Sequence, residues 1–410
     1  MIQPMAAALI GIEEARAIVL ERARRLASEA VPLREALGRH LAEAVLAPDD
    51  VPGFDNSAMD GFAVRASDTT GARPAEARRL QVVAESRAGH PSAAELRAGE
   101  AIAISTGAMI PAGADAVVRV EDTARDGAEV LVGAEVHPGT SIRRAGEDVR
   151  AGSRVLAAGA RLGAVELGAL AGVGHPTAPC ARRPRLAILV TGDELVEPGA
   201  PLRPGQIRDS NAYAVPPLAS EAGAEVISIE IAPDDREATR GALARALGAE
   251  VAVVCGGVSV GEHDHVRPAL HSLGVEQAFW GVSLRPGKPT YFGRAPEGAL
   301  VFGLPGNPVS AMVTFILFVR PALLAMQGAD PAARRIEAAM ASDYEKVRGR
   351  AEAIRVRLEA GEGRWIATPT GPQGSHVLTS MLGADGLALA AANQGVVRAG
   401  EKIAVELLRR

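Results

Sequence analysis

Four short segments in the second half of the chain set glycines beside groups that bind or move charge. The first is Thr191-Gly192-Asp193-Glu194, where a glycine lets the backbone approach a ligand and Glu194 offers a carboxylate. The second runs Gly256-Gly257-Val258-Ser259-Val260-Gly261-Glu262-His263-Asp264. Its glycines leave amide groups free to form an anion-binding concavity, Ser259 can donate to a phosphate, and Asp264 can hold Mg²⁺. It is not a Walker A loop, because no Gly-Lys-Ser/Thr follows, and His263 and His265 have no third ligand nearby and read as solvated or packing residues. The third, Arg285-Pro286-Gly287-Lys288-Pro289, is a bend that presents two cations to a phosphate or another oxyanion. The fourth, Gly303-Leu304-Pro305-Gly306-Asn307-Pro308-Val309-Ser310, places Asn307 at a helix cap and Pro308 at the first helical position, with the free N–H groups directed at an anion. Each segment alone also reads as an ordinary turn or cap. Their convergence carries the argument.

The elements around them explain the convergence. Apolar runs at Leu186–Val190, Val251–Cys255 and Ala299–Leu304 read as buried strands, and Glu225–Ile231 as another strand. Helical patterns fall within Asn211–Ala222 and at 235–248 and 265–273, and a helix starts at Pro308. This alternation predicts a doubly wound, mostly parallel α/β sheet. Three of the four segments follow strands of that sheet, and the basic bend lies between two of them. Ligands of open α/β sheets bind beyond the carboxyl ends of the strands.

On either side the composition changes. Residues 11–29 and Leu33–Val45 read as helices. From Pro48 to about Val149 the chain is broken by glycine and proline, with strand-like runs at Leu80–Ala84, Ala101–Ser105 and Ala116–Val120, which predicts an inserted β-rich module. After Gly328, Ile354, Val356 and Leu358 alternate with Arg355 and Arg357, so one buried and one wet face are expected, in a small C-terminal β-barrel.

Bulk properties exclude several classes. The formal charge is −5 and aromatics make up 3% of the chain, which disfavours nucleic-acid and anionic-membrane surfaces. The two cysteines, Cys180 and Cys255, lie too far apart in sequence for a CxxC pair, as expected in a reducing compartment. No signal peptide is evident, and the apolar run near Val309–Val319 is about half of the roughly 20 residues that cross a bilayer. A cytoplasmic protein is expected.

The segments above, with Ser57-Ala58-Met59-Asp60-Gly61, Ser105-Thr106-Gly107, Arg143-Arg144-Ala145-Gly146-Glu147-Asp148, Gly374-Ser375 and Ala384-Asp385-Gly386-Leu387, resemble in order the MoeA family of molybdopterin molybdenumtransferases, to which the E domain of gephyrin is related. The resemblance spans nearly the whole chain. It implies four domains: an elongated one from 1–47 and 146–181, the inserted β-rich one at 48–145, a MogA/MoaB-like α/β domain at 182–328 and a β-barrel at 329–410. It also implies a homodimer whose active site lies at the subunit interface, with molybdate and adenylylated molybdopterin as substrates, AMP release and assistance by Mg²⁺. An upstream adenylyltransferase and maturation factors of apo-molybdoenzymes are the expected partners.

Residue by residue, the resemblance implies catalytic roles for Asp60, Thr106 and Asp148 on the β-rich side, and for Glu194, Asp264 and Lys288 on the α/β side. Thr191, Gly192, Gly256, Gly257, Ser259, Gly261, Arg285, Gly306, Asn307 and Ser310 are the expected substrate-binding residues. Glu194, Asp234, Asp235 and Asp264 are the expected metal set. The chain departs from the family pattern at Arg285, where lysine is frequent, and at Pro216-Pro217, which cannot comfortably sit inside a helix, so a late helix start is expected there. Two other readings are an adenylyltransferase of the same pathway and a gephyrin-like scaffold. The first would be a single compact domain, and the second would need a linker or second module.

Overall fold

The computed structural model describes residues 9–259, 264–361 and 363–408. Its centre is a six-stranded sheet in the order Glu225–Ala232, Arg185–Thr191, Val251–Cys255, Leu300–Leu304, Tyr291–Arg294, Glu276–Trp280. The first four strands are parallel, Tyr291–Arg294 runs antiparallel to them, and Glu276–Trp280, antiparallel to Tyr291–Arg294, takes their direction again. Val251–Cys255 and Leu300–Leu304 are buried at every position, as strands covered on both faces must be. From Arg185–Thr191 the chain goes first to the strand on one side and later to the strand on the other. The order of the sheet therefore switches between Thr191 and Cys255.

The C-terminal residues close into a barrel of five strands: Ala351–Gly361, Arg364–Pro369, Arg335–Met340, Lys402–Leu407 and Gly386–Ala390. The α/β domain reaches into it, because Leu284–Arg285 pairs in parallel with Ala351–Glu352. The inserted module holds a mixed six-stranded sheet in which Gly61–Val64 lies between Ala116–Arg119 and Glu100–Ile104. Two short antiparallel pairs, Ser28–Pro32 with Thr177–Ala181 and Val45–Leu46 with Arg154–Leu156, carry the chain towards and away from it.

Several local expectations change. The first helix covers only Ile12–Arg22, since the segment beyond it is drawn into the strand Ser28–Pro32. Its residues Ile12, Ala15 and Val19 share a core with Phe315 and Leu323 of the α/β domain. Leu33–Val45 forms one 3-10 turn, Leu33–Glu35, and Gly38 then takes a φ of 76° that no helix continues. The helix at Asn211 does not start late: it spans Asn211–Glu221 with Pro216 and Pro217 inside. Both prolines lie off the buried stripe of Asn211, Val215 and Ala219, so water can satisfy the carbonyls they release. Arg355, expected on a wet face, is wholly buried and donates to Ser380 Oγ and the carbonyls of Ala353 and Gly374, under the loop that covers this strand. The helix Pro308–Met326 is 19 residues long and apolar enough to span a membrane by composition, yet 83% of its apolar 18-residue window is buried inside the molecule. A π-helical turn at Phe315–Val319, all buried, lies within it.

Candidate active site

A cleft of about 360 Å³ lies at the switch point of the central sheet, lined by Thr191, Gly192, Glu194, Asp234, Gly256 to Ser259, Asp264, Pro289 and Pro305 to Asn307. Every strand that ends there delivers one segment. Thr191 closes Arg185–Thr191, Gly256 follows Val251–Cys255, and Pro305 follows Leu300–Leu304. The floor is tight. Gly256 has a φ of +101°, and a Cβ there would sit 2.8 Å from both Thr191 O and Thr191 Oγ1. Gly257 has a φ of +61°, and its Cβ would meet Val266 Cγ2 at 2.6 Å. Only glycine fits this close approach of two strand ends.

Beneath the cleft, Asp209 Oδ1 accepts the amides of Asn211 (2.8 Å) and Ala212 (3.1 Å), and Asn211 Nδ2 donates to Gly306 O at 2.7 Å. The cleft is thereby tied to the start of a helix. Thr191 Oγ1, Asp209 Oδ2 and Asn211 Oδ1 are buried without hydrogen-bond partners among the described residues. Polar atoms left unpaired at a ligand cleft are available to water or substrate. The Cys255 thiol beside them is pushed up to about 12 by burial, and next by the Asp209 carboxylate, so it is no nucleophile.

Among the described residues the lining side chains include three carboxylates, Glu194, Asp234 and Asp264, and no cation. Asp193 and Asp234 hold each other's backbone: Asp234 N donates to Asp193 Oδ1 at 3.1 Å, and Asp193 N to Asp234 Oδ2 at 3.4 Å. Asp235 is turned to another task, accepting Ala238 N at 2.8 Å as the cap of helix Arg236–Ala246. Among the described residues no three carboxylate, histidine or cysteine side chains gather closely enough to hold one ion between them. Hard oxygen donors, one or two at a time, suit Mg²⁺, which keeps several waters and takes phosphate oxygens as its other ligands.

The basic bend stands beside the cleft, reaching its lining through Pro289. Lys288 is exposed, while Arg285 Nε lies 3.8 Å from Glu352 Oε1 of the barrel. Ser310 is buried, its carbonyl taken by Thr314 Oγ1. Asn307 does not cap its helix by its side chain; Nδ2 donates to Ser375 Oγ at 3.0 Å, and Val309 N donates to Ser375 O. The barrel loop thus occupies the first amide that was expected to face an anion. Gly261 and His263 lie outside the described residues.

Asp60 and Thr106 belong to the inserted module, Asp148 lies just past its end, and none of the three lines this cleft of its own chain. Asp60 Oδ1 accepts Thr106 N at 2.8 Å, so these two expected residues are joined. Asp148 is exposed on a loop that Asp55 fastens by accepting Ala145 N and Arg144 Nη1. Phe54, Met59 and Met109 stand exposed near these loops. Sequence reading missed Asp209 and the pair Arg267–Trp280 beside the glycine loop; the scarcity of tryptophan was the one available signal.

Three family models cover the chain: the MoeA N-terminal region (domain I and II) at residues 10–174, the "Probable molybdopterin binding domain" at 187–325 and the MoeA C-terminal region (domain IV) at 337–408. The chain is similar to the molybdopterin molybdenumtransferase of Haemophilus influenzae, 37% identical over 97% of this chain and 98% of that protein. It is also similar to that of Bacillus subtilis, 34% identical over 98% of this chain and 94% of that protein. The crystal structure of the molybdopterin biosynthesis MoeA protein from Pyrococcus horikoshii superposes with a TM-score of 0.84 at 34% identity, covering 98% of this chain and all of that one. A full-length match of this kind, over every domain described above, means that the chain belongs to the MoeA family.

Proposed function

We propose that the chain is a cytoplasmic molybdopterin molybdenumtransferase that takes adenylylated molybdopterin and molybdate and releases AMP. One observation carries this reading: a cleft at the sheet's switch point, floored by glycines and lined by three carboxylates, in a chain similar over its whole length to proteins of that name. The phosphate end of the substrate would lie against Gly256, Gly257 and Ser259. One or two of Glu194, Asp234 and Asp264 would hold Mg²⁺, with water and phosphate oxygens as its other ligands, and the ion would neutralise charge on the leaving AMP phosphate. Lys288 and Arg285 would bring molybdate near in spite of its repulsion from the phosphate. Positioning two mutually repelling anions is then the main part of catalysis.

A second copy of the chain is assigned the other wall. Asp60, Thr106 and Asp148 are exposed on or just beside the inserted module, near the exposed apolar side chains of Phe54, Met59 and Met109. That arrangement supports a homodimer in which the module of one subunit closes the cleft of the other.

The test is incubation with adenylylated pterin, Mg²⁺ and molybdate while AMP is followed. AMP should appear only with the oxyanion, stop on chelation and return with Mg²⁺. AMP release indifferent to molybdate contradicts the assignment. Formation of the adenylate from pterin and Mg-ATP without molybdate would favour the adenylyltransferase instead.

A further inference from the structure

The two described flanks of the glycine segment after Val251–Cys255, Gly256 to Ser259 on one side and Asp264 to Arg267 on the other, are attached to one aromatic ring. Trp280 ends the edge strand Glu276–Trp280, and its indole Nε1 donates to the Val258 carbonyl at 2.8 Å. Val258 lines the cleft between Gly257 and Ser259. Its side chain is buried above Gly303, where a Cβ would lie 2.6 Å from Val258 Cγ1. The residue is therefore held from two sides: its side chain by the sheet, its carbonyl by the indole. On the far flank, three residues after Asp264, Arg267 lays its guanidinium over the same ring, 4.3 Å from the centroid. Arg267 Nε is buried without a hydrogen-bond partner among the described residues, so the ring face is the contact that holds this edge of the guanidinium.

We propose that Trp280 is a positioning residue for the reaction: it fixes Ser259 on one flank, through Val258, and Asp264 on the other, through Arg267, in the arrangement that receives the phosphate end of the substrate. This rests on the function assigned above. Two consecutive glycines with positive φ give the entry to this loop a wide choice of conformations, and ordering such backbone at the moment of binding weakens the ligand. Anchors made before the ligand arrives avoid that loss. Trp280 touches no reacting atom, and its indole hydrogen bond reaches only the Ser259 flank, so loss of that bond alone should fall on binding and not on turnover.

The experiment uses the full-length protein and Trp280→Phe, which keeps an aromatic face for Arg267 and removes the indole donor. The expected result is a KM for the adenylylated pterin raised about 3- to 10-fold, the worth of one hydrogen bond, with kcat little changed. The affinity for AMP should weaken by the same factor. In a Trp365→Phe background, Trp280 is the only tryptophan left, so AMP should shift its emission saturably. Arg267→Met, which releases the ring from its other side, should also raise KM, and it serves as the second variant if Trp280→Phe melts early. Unchanged KM and AMP affinity in both variants, with molybdate-dependent AMP release intact in the parent, overturn the positioning role and leave the function standing. A parent protein that neither binds AMP nor turns over overturns both.

Discussion

Gly256 bears the strictest demand of any residue in the cleft. At φ +101° an alanine is strained, and its methyl group would meet Thr191 O and Oγ1 at 2.8 Å. Gly256→Ala should destabilise by about 1–3 kcal/mol and abolish AMP affinity, read by thermal melting and by titration; a variant that melts and binds like the parent would remove the close approach from the argument. The role proposed for Glu194 and Asp264, which line the same cleft, is of the opposite kind, chemical and not steric. Glu194→Gln and Asp264→Asn should each lower kcat/KM about 100- to 1,000-fold while the melting curve stays in place. Asp55 works at a distance. The Ala145 amide, and next the Arg144 guanidinium, hold its carboxyl below the ordinary aspartate value of 3.8. A depressed carboxylate contributes stability above that value and loses it as the pH falls through the folded-state one. The gap in melting temperature between the parent and Asp55→Asn should therefore be constant from neutral pH downwards and narrow only below about 4; a gap unchanged at pH 3 would deny the linkage. At this scale the sequence was most legible where a residue type admits one use. Glycines after a buried strand pointed to the cleft directly. The choice between Asp234 and Asp235 stayed open because a capping aspartate and a cleft aspartate look alike until the helix start is fixed. Asp209 and Trp280 gave no pattern, since the effect of each is felt far along the chain, Asp209 at Gly306 through its neighbour Asn211, and Trp280 at Val258.

Among elements, the buried strands were legible because a run such as Val251–Cys255 has no other comfortable place than a sheet covered on both faces. The segment after Arg22 was not. Helical propensity favoured continuing the first helix, but Ser28–Pro32 pairs with Thr177–Ala181 nearly the whole insertion away, and no local signal announces such a partner. Arg355 deceived for a similar reason: alternation assigns it to water, and a loop folded over from Gln373 to Ser380 takes it in. The helix Asn211–Glu221 contradicts the rule against internal proline and so offers a test of it. Pro217 is exposed and withholds the hydrogen bond that Tyr213 O would accept in a regular helix. Pro217→Ala restores that bond. It also gives the unfolded chain more freedom, a loss of about 0.4–1 kcal/mol, against the roughly 3 kcal/mol that an interior proline costs. A net gain in melting temperature is expected, with AMP affinity unaffected. A lower melting temperature would mean that the proline pair is shaping the helix for a reason its exposed face does not reveal.

At the scale of the molecule, the domains are joined by charge that water hardly reaches. Glu406 of the last barrel strand is fully buried, and its carboxylate meets Arg16 of the first helix and Arg320 of the long central helix, with Arg335 of the first barrel strand at 3.7 Å. One carboxylate therefore fastens together the two ends of the chain and the α/β domain between them. Burial pulls the Arg320 guanidinium below its ordinary value, and the Glu406 charge opposes that effect, as expected when a cation is kept from water and answered by one anion. A cluster of this kind adds little over an apolar core of the same shape, but it is costly to break from one side. Glu406→Ala leaves Arg16 and Arg320 buried among like charges and should destabilise by about 3–5 kcal/mol. The loss should fall on the joint and not on the barrel strand itself. Limited proteolysis between residues 328 and 335 should therefore quicken in Glu406→Ala well below the melting midpoint, while Glu406→Gln, which still accepts hydrogen bonds but carries no charge, should show an intermediate rate. The cleft depends on this joint through the barrel, whose strand Ala351–Gly361 pairs with Leu284–Arg285 and whose Ser375 holds Asn307. AMP affinity in Glu406→Ala should accordingly fall at temperatures where the α/β domain is still folded. If affinity and proteolysis instead change only at the global transition, the three domains melt as one body and the ion cluster is no separate hinge.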